Sequence, residues 1–113
     1  MRRGEVRWGW PRVPGLESKR RPFLVVSHDL FNRNERYEKV LVVHLTTAHR
    51  TAGPYDWEVD LPRGTAGLPM RSVVKCNEVY TIPKARLGDL VGTLPIDALR
   101  KVDAALGLAL GLS

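Results

Sequence analysis

The sequence predicts a mainly β protein, a small antiparallel barrel with one C-terminal α-helix packed on it. Three observations indicate this fold class. Strand-like segments recur along the first 82 residues, Pro, Gly and charged residues separate them, and the hydrophobic period becomes helical only after Thr93. A chain of 113 residues has room for one modest core, so we expect a single domain over residues 1–113.

Five segments have the pattern of strands. The first and fourth alternate apolar with polar residues, as half-buried strands do, whereas the second and third contain the continuous apolar runs of buried strands. The fifth is long enough for one or two strands. In the fourth we expect Tyr55, Trp57 and Val59 to face the core. The segments are "GEVRWGWP" (4–11), "PFLVVS" (22–27), "VLVVHLTT" (40–47), "YDWEVDLP" (55–62) and "SVVKCNEVYTI" (72–82).

The last part of the chain has the signals of an amphipathic helix. Pro95 suits a first helical turn and Asp97 complements the positive end of the helix dipole. We expect the buried face of this helix to consist of four residues spaced three or four apart: Leu99, Val102, Leu106 and Leu110.

Positive charge is concentrated near the N-terminus. The formal net charge is +6, and seven of the 18 Lys and Arg residues precede residue 22, where only two acids stand. This excess favours a polyanionic partner, although a well-solvated basic surface would give the same composition. The longest apolar runs are too short to cross a bilayer, and Cys76 is the only cysteine, so we expect no membrane partner and a cytoplasmic location.

The histidines and the cysteine do not indicate a metal site or a nucleophilic catalyst. The three histidines, His28, His44 and His49, form no metal-ligand spacing, so we predict neither a metal nor another cofactor. We interpret His44 as a satisfied or barrel-facing residue of a buried strand. His49 is either a plain loop residue or a proton shuttle. Strand alternation places Cys76 beside Val74, which favours a buried structural thiol.

The two tryptophans of the first strand have two possible roles. Trp8 and Trp10 lie two residues apart and share a strand face. Such aromatic residues stack unpaired bases in some nucleic-acid-binding sheets, but they also form cores. We expect at least one of the two to belong to the core.

Polar side chains stand where the two buried strands begin and end. Glu17 lies in the loop before Arg21, which opens the first buried strand, and Thr46 and Thr47 close the second. If these ends meet, the set suits RNA cleavage without a metal. A carboxylate takes the proton of a ribose 2′-OH, the oxygen attacks phosphorus, and arginine and threonine stabilise the phosphoryl oxygens.

Four quoted stretches resemble the MazF/PemK/Kid family of toxin endoribonucleases. They are "RRGEVRWGW", "RRPFLVVS", "VLVVHLTTA" and "GLPMRSVVKCNEVYTIPKARLG", and their order and spacing are similar to the family over roughly residues 3–110. The resemblance implies the SH3-like barrel of the CcdB/MazF-type plasmid maintenance toxins. It also implies sequence-specific, metal-independent cleavage of single-stranded RNA, leaving a 2′,3′-cyclic phosphate and a 5′-OH.

The resemblance implies partners as well as residues. The partners are single-stranded RNA, a cognate MazE-like antitoxin whose acidic tail occupies the RNA groove, a second copy in a homodimer, and operon DNA only through the antitoxin. The family's catalytic arginine and threonine fall on Arg21 and Thr46. The expected RNA contacts are Ser18, Lys19, Arg20, Thr47 and His49.

The loop before Arg21 departs from the family pattern. The family's acid usually precedes the arginine by five residues, whereas Glu17 precedes Arg21 by four. Glu17 is therefore one candidate for the base, and Arg21 itself or His49 are the others. A non-catalytic barrel that binds DNA gyrase or nucleic acid is the alternative function, and the absence of tryptophan near the C-terminus counts against gyrase.

Overall fold

The computed structural model describes residues 1–10, 19–48 and 55–112. They form one antiparallel six-stranded sheet in the order β4-β5-β3-β2-β1-β6, with a long helix packed against β4 and β5. The elements are β1 Glu5–Gly9, β2 Arg21–Val25, α1 Asp29–Asn32, β3 Lys39–Thr47, β4 Glu58–Leu61, β5 Ser72–Pro83, β6 Leu87–Thr93 and α2 Ile96–Ala109. The predicted mainly β fold with a C-terminal helix is confirmed.

The two apolar runs lie at the centre of the sheet. Strand β3 pairs with β2 on one side and with β5 on the other, which covers both of its edges. Side chains of a central strand are buried on both faces, and this explains why β3 reads as a continuous apolar run rather than an alternating one. Between the pairs Val43–Val79 and His44–Lys75, three residues of β5 are inserted, which bends this strand.

Each face of the sheet carries its own apolar cluster. The face under α2 holds the larger cluster, in which Leu24 and Val43 of the sheet pack with Val102 of the helix. The opposite face holds a smaller cluster that includes Phe23, Val42 and Ile82. Alternation along β2 and β3 separates the two sets, because successive side chains point to opposite faces.

The sheet is not closed by hydrogen bonds into a barrel. Strands β4 and β6 are its two edges, and no pairing between them occurs among the described residues. The 3₁₀ turn Thr65–Gly67, which follows β4, packs against β6 instead. The approach is so close that a Cβ on Gly92 would overlap the Ala66 carbonyl. Contact between this turn and β6 thus takes the place of a β4–β6 ladder.

Strand β6 was not predicted from the sequence. Its residues "LGDLVGT" include two glycines and an aspartate, which have low strand propensity. The strand forms because it pairs with β1 along one edge and packs against the 3₁₀ turn. Tertiary contacts therefore outweigh local preference here.

The predicted orientation of the fourth segment was partly wrong. Val59 is buried as expected, but β4 begins only at Glu58, so Tyr55 and Trp57 precede it and lie exposed. Their rings stack on each other with centroids 4.8 Å apart. Glu58 is buried instead, because its carboxylate accepts a 2.6 Å hydrogen bond from Lys75 Nζ on the neighbouring strand.

The helix matches its prediction except at its end. Val102 and Leu106 are buried and Leu99 packs partly buried against the same cluster, as the spacing predicts. Leu110 is wrong as a core residue: it lies just after Ala109, the last helical residue, and is 62% exposed. No described helix is long and apolar enough to span a membrane.

Candidate functional site

The two buried strands bring Arg21 and Thr46 to the same edge of the sheet. Phe23 pairs with His44, and continuing this antiparallel register by two residues places Arg21 opposite Thr46. Arg21 also pairs with Gly9 of β1, which fixes its backbone at the start of β2. The predicted convergence of these strand ends is therefore present.

A third strand adds hydroxyl groups to this edge. Thr47 ends β3 and pairs with Ser72, which begins β5, and Thr46 pairs with Val73. The hydroxyl of Ser72 donates a 3.0 Å hydrogen bond to the Met70 carbonyl. The cation of Arg21 and three hydroxyl-bearing residues thus lie at one end of three adjacent strands.

An open cavity of about 450 Å³ lies along this end of the sheet. We refer to it as the groove. No acid occurs among its described lining residues, whereas three consecutive cations do, so an anion entering it meets a positively charged wall. The lining residues are Trp8, Lys19, Arg20, Arg21, Pro22, Leu45, Thr46, Thr47, Leu68, Pro69, Met70 and Ser72.

One wall of the groove carries a cation–π pair. The guanidinium carbon of Arg20 lies 4.4 Å from the centroid of the Trp8 ring. Trp8 is partly buried and Trp10 is 53% exposed, and neither belongs to the apolar clusters that the described residues form. The expectation that at least one of these tryptophans is core was wrong, because β1 directs the Trp8 side chain into the groove.

His44 lies next to the site but inside the protein. It is 8% exposed, and neither Nδ1 nor Nε2 has a hydrogen-bond partner among the described residues. Of the two predicted possibilities, a satisfied or a barrel-facing histidine, the second agrees with this buried position beside Phe23, whose ring centroid lies 6.2 Å away. Burial lowers its pKa below the ordinary value, and the charges of Arg21 and Lys75 lower it further, against the opposing effect of Glu78. A neutral imidazole is therefore the favoured form.

Cys76 lies on the helix-covered face, in surroundings that do not suit a nucleophile. It is fully buried in the cluster that also contains Val74, as strand alternation predicts. Burial, together with the nearby Glu58 carboxylate, raises the pKa of the thiol to about 12. The interpretation of Cys76 as a structural thiol is confirmed, because the reactive thiolate is disfavoured.

Three predicted site residues lie outside the described part of the chain. They are Glu17, Ser18 and His49, so the identity of the base stays a prediction. Of the others, Lys19, Arg20, Arg21, Thr46 and Thr47 all line the groove.

Sequence reasoning missed two contributions to the groove. Ser72 opens a strand directly after a charged loop residue, the same signal that identified Arg21, so it was open to prediction. The apolar loop residues Leu68, Pro69 and Met70 carried no such signal, because only the packing of their loop brings them here.

The fold and the groove define a class: a small helix-capped β-sheet protein with a positively charged groove where its strands end. Residues 2–110 match the family of PemK-like, MazF-like toxins of type II toxin-antitoxin systems. The chain is 30% identical to the endoribonuclease MazF6 of Mycobacterium tuberculosis over 97% of its own length and 96% of that protein. It is 29% identical to the endoribonuclease EndoA of Bacillus subtilis, with coverage of 99% and 96%.

A solved structure gives the same result. An endoribonuclease in complex with its cognate antitoxin, from a mycobacterial species, superposes with a TM-score of 0.79 at 29% identity, covering 100% of this chain and 97% of that one. The chain therefore belongs to the PemK-like, MazF-like toxin family. The predicted family is confirmed, and the predicted enzyme class agrees with the names of these relatives.

Proposed function

We propose that this protein is a toxin endoribonuclease that cleaves single-stranded RNA without a metal ion, leaving a 2′,3′-cyclic phosphate and a 5′-OH. Membership of the toxin family and likeness to named endoribonucleases support the enzyme class. The observation that carries the proposal is the placement of Arg21 and Thr46 on neighbouring strands at the edge of a basic groove.

The proposed reaction is an internal phosphoryl transfer. A base removes the proton of the ribose 2′-OH, the oxygen forms a bond to the adjacent phosphorus, and the bond from phosphorus to the 5′-oxygen breaks. The departing 5′-oxygen takes up a proton, so one proton is removed and one is returned. Glu17 is the proposed base, with Arg21 and His49 as the alternatives left by the shortened loop.

Arg21 and Thr46 have separate parts in this reaction. Negative charge grows on the non-bridging phosphoryl oxygens as the phosphorus becomes five-coordinate, and a guanidinium fixed beside them lowers the energy of that state. Thr46 donates a hydrogen bond to the same oxygens. Arg21 suits this task because its pairing with Gly9 of β1 fixes its backbone before the substrate arrives.

The groove also suits the proposed inhibitor. Its described lining has three cations and no acid, which favours an acidic antitoxin segment as well as RNA. The structural relative was solved with its cognate antitoxin. We further propose a homodimer that acts on RNA in the cytoplasm and meets operon DNA only through the antitoxin.

The test is an RNA cleavage assay in the presence of EDTA, with analysis of the product ends. The wild type should give discrete cuts with cyclic phosphate ends. Arg21→Ala should reduce the rate by about 10²- to 10³-fold, the usual cost of losing a transition-state charge donor. Thr46→Ala should cost about tenfold, as expected for one neutral hydrogen bond.

Arg100→Ala is the matched control. It removes the same charge from an exposed position on α2 that does not line the groove, and its rate should equal that of the wild type. Circular dichroism should show all variants folded. Full cleavage by Arg21→Ala would refute the catalytic assignment, and intact RNA with the wild type would favour a non-catalytic protein that binds nucleic acid or gyrase.

A further inference from the structure

We propose that Arg20 contacts a nucleobase rather than a phosphate. Its guanidinium, held against the indole of Trp8, is a flat surface on which one base of the bound strand stacks. This inference rests on the proposed function in one respect, since it takes single-stranded nucleic acid as the ligand of the groove.

The contact between Arg20 and Trp8 prepares such a surface. The guanidinium carbon lies 4.4 Å from the ring centroid, within the range of cation–π attraction. A guanidinium is planar, delocalised and weakly hydrated, so one side can rest on an indole while the other side receives a second ring. Arg20 remains exposed despite this contact and lines the groove. The ring contact reduces its freedom before the ligand binds, which lowers the entropy lost on binding.

The two adjacent arginines are held in different ways. Arg21 belongs to β2, pairs with Gly9 and lies opposite Thr46, among groups that suit phosphoryl oxygens. Arg20 precedes the strand and is positioned by an aromatic ring. A side chain intended only as a second phosphate contact would need no aromatic support. The different settings assign the phosphate to Arg21 and the base to Arg20.

The apolar residues of the groove fit this division. Leu68, Pro69 and Met70 line the same cavity as Arg20, and Met70 is 55% exposed. A phosphate gains nothing from such a surface, whereas the faces of a nucleobase are largely apolar and gain from contact with it. The cavity of about 450 Å³ therefore offers charge for the backbone of a strand and apolar contact for a base.

The experiment compares two single-stranded DNA probes of twelve nucleotides and equal charge. One carries mixed bases, and the other is built from tetrahydrofuran abasic units. Neither has a 2′-OH, so binding is measured without cleavage, for example by fluorescence anisotropy. Arg20→Lys keeps the charge and removes the planar group. It should weaken binding of the base-containing probe about fivefold or more, the lower range for one stacked base, and binding of the abasic probe less than twofold.

Two further variants test whether the loss comes from stacking. Trp8→Leu, which removes the ring beneath Arg20, should reproduce the selective loss, and the double variant should lose little more than either single variant. Lys19→Ala is the comparison within the groove: it has no ring contact in the described structure, and it should weaken both probes equally. Equal weakening of both probes by Arg20→Lys, or no weakening, would overturn the proposal.

The outcome is separable from that of the proposed nuclease. If the wild type binds the base-containing probe in the predicted way but cuts no RNA, the base contact stands and the catalytic proposal fails. If RNA is cut and Arg20→Lys does not discriminate between the probes, the catalytic proposal stands and Arg20 is only a phosphate contact.

Discussion

The two faces of the sheet differ in what they bury. The face under α2 holds the larger apolar cluster, which includes the Cys76 thiol and residues of the helix. On the opposite face, the smaller cluster around Phe23 lies next to His44, and Arg21 and Thr46 follow on the same two strands. Where the strands end, the groove draws on both faces, because Leu45 and Leu68 of the helix-side cluster line it together with Arg21 and Thr46.

This difference separates stability from chemistry within single strands. Along β2, Leu24 faces the helix while Arg21 and Phe23 face the other way, and along β3 Val43 and Thr46 are divided in the same manner. One strand can therefore hold a core residue and a proposed catalytic residue without either occupying the other's environment. We expect the larger, helix-covered cluster to dominate the free energy of unfolding, and Arg21 and Thr46, which alternate to the opposite face, to dominate the activity.

The largest expected effect comes from Leu24→Ala. Leu24 is fully buried in the helix-covered cluster, so the substitution should lower the free energy of unfolding by about 2–5 kcal/mol. Thr46→Ala, at a partly exposed position on the opposite face, should change it by less than about 0.5 kcal/mol. Urea denaturation of both variants measures the difference.

The same pair of variants should show the reverse order in activity. Below the temperature at which it unfolds, Leu24→Ala should cleave RNA at close to the wild-type rate, while Thr46→Ala is slowed about tenfold. If Thr46→Ala were as unstable as Leu24→Ala, or if Leu24→Ala lost activity while folded, the separation of the two faces would be wrong.

A smaller effect should follow from adding a methyl group to the edge of the sheet. In Gly92→Ala the new Cβ would overlap the backbone of Ala66, which cannot move aside as a flexible side chain can. The 3₁₀ turn would be forced off β6, at a cost of about 1–3 kcal/mol. The free energy of unfolding is again the measured quantity.

Gly88→Ala is the matched control on the same strand. There the nearest atom to an added Cβ is the Trp8 carbonyl oxygen at 3.7 Å, an ordinary contact distance. This variant should be as stable as the wild type or slightly more stable, because alanine restricts the unfolded chain. Equal effects of the two substitutions would show that the turn does not brace the edge of the sheet.

These edges are also where prediction from sequence was weakest. The central strands were predicted because buried runs such as that of β3 carry their signal locally, and Arg21 and Thr46 were singled out because they stand where such runs begin and end. Strand β6 has no comparable run and depends on β1 and the 3₁₀ turn. The missing β4–β6 ladder likewise depends on packing between distant segments.

The errors at single residues have the same physical origin. Glu58 was expected in solvent, but it is buried because Lys75, on the next strand, neutralises it. Trp8 was expected to be a core candidate, but its ring lies against the guanidinium of Arg20, twelve residues later in the sequence. In both cases alternation gave the strand correctly, and a partner distant in sequence determined the environment of the side chain.

The smallest expected effect concerns pH and His44. The charged groups facing it are Arg21 on β2 and Lys75 and Glu78 on β5, with Glu78 Oε2 4.0 Å from Nδ1. The folded protein holds the pKa of His44 below 6.5, mainly through burial. As pH falls below about 6.5, the unfolded chain binds a proton that the folded protein does not, so stability is lost. The loss levels off once pH passes the lowered pKa of the folded state.

His44→Gln isolates this contribution, because it keeps a polar side chain that does not titrate and leaves the rest of the sequence unchanged. The free energy of unfolding of each should be measured by urea denaturation between pH 8 and 5. The free energy of unfolding of the wild type, minus that of the variant, should decrease as the pH falls. A difference that stays constant would mean that burial does not perturb His44, and one that grows would mean that Glu78 dominates. The first result would make His44 an ordinary residue, and the second would make it the ion-pair partner of Glu78. Both would make the opposite face of the sheet less distinct from the helix-covered one.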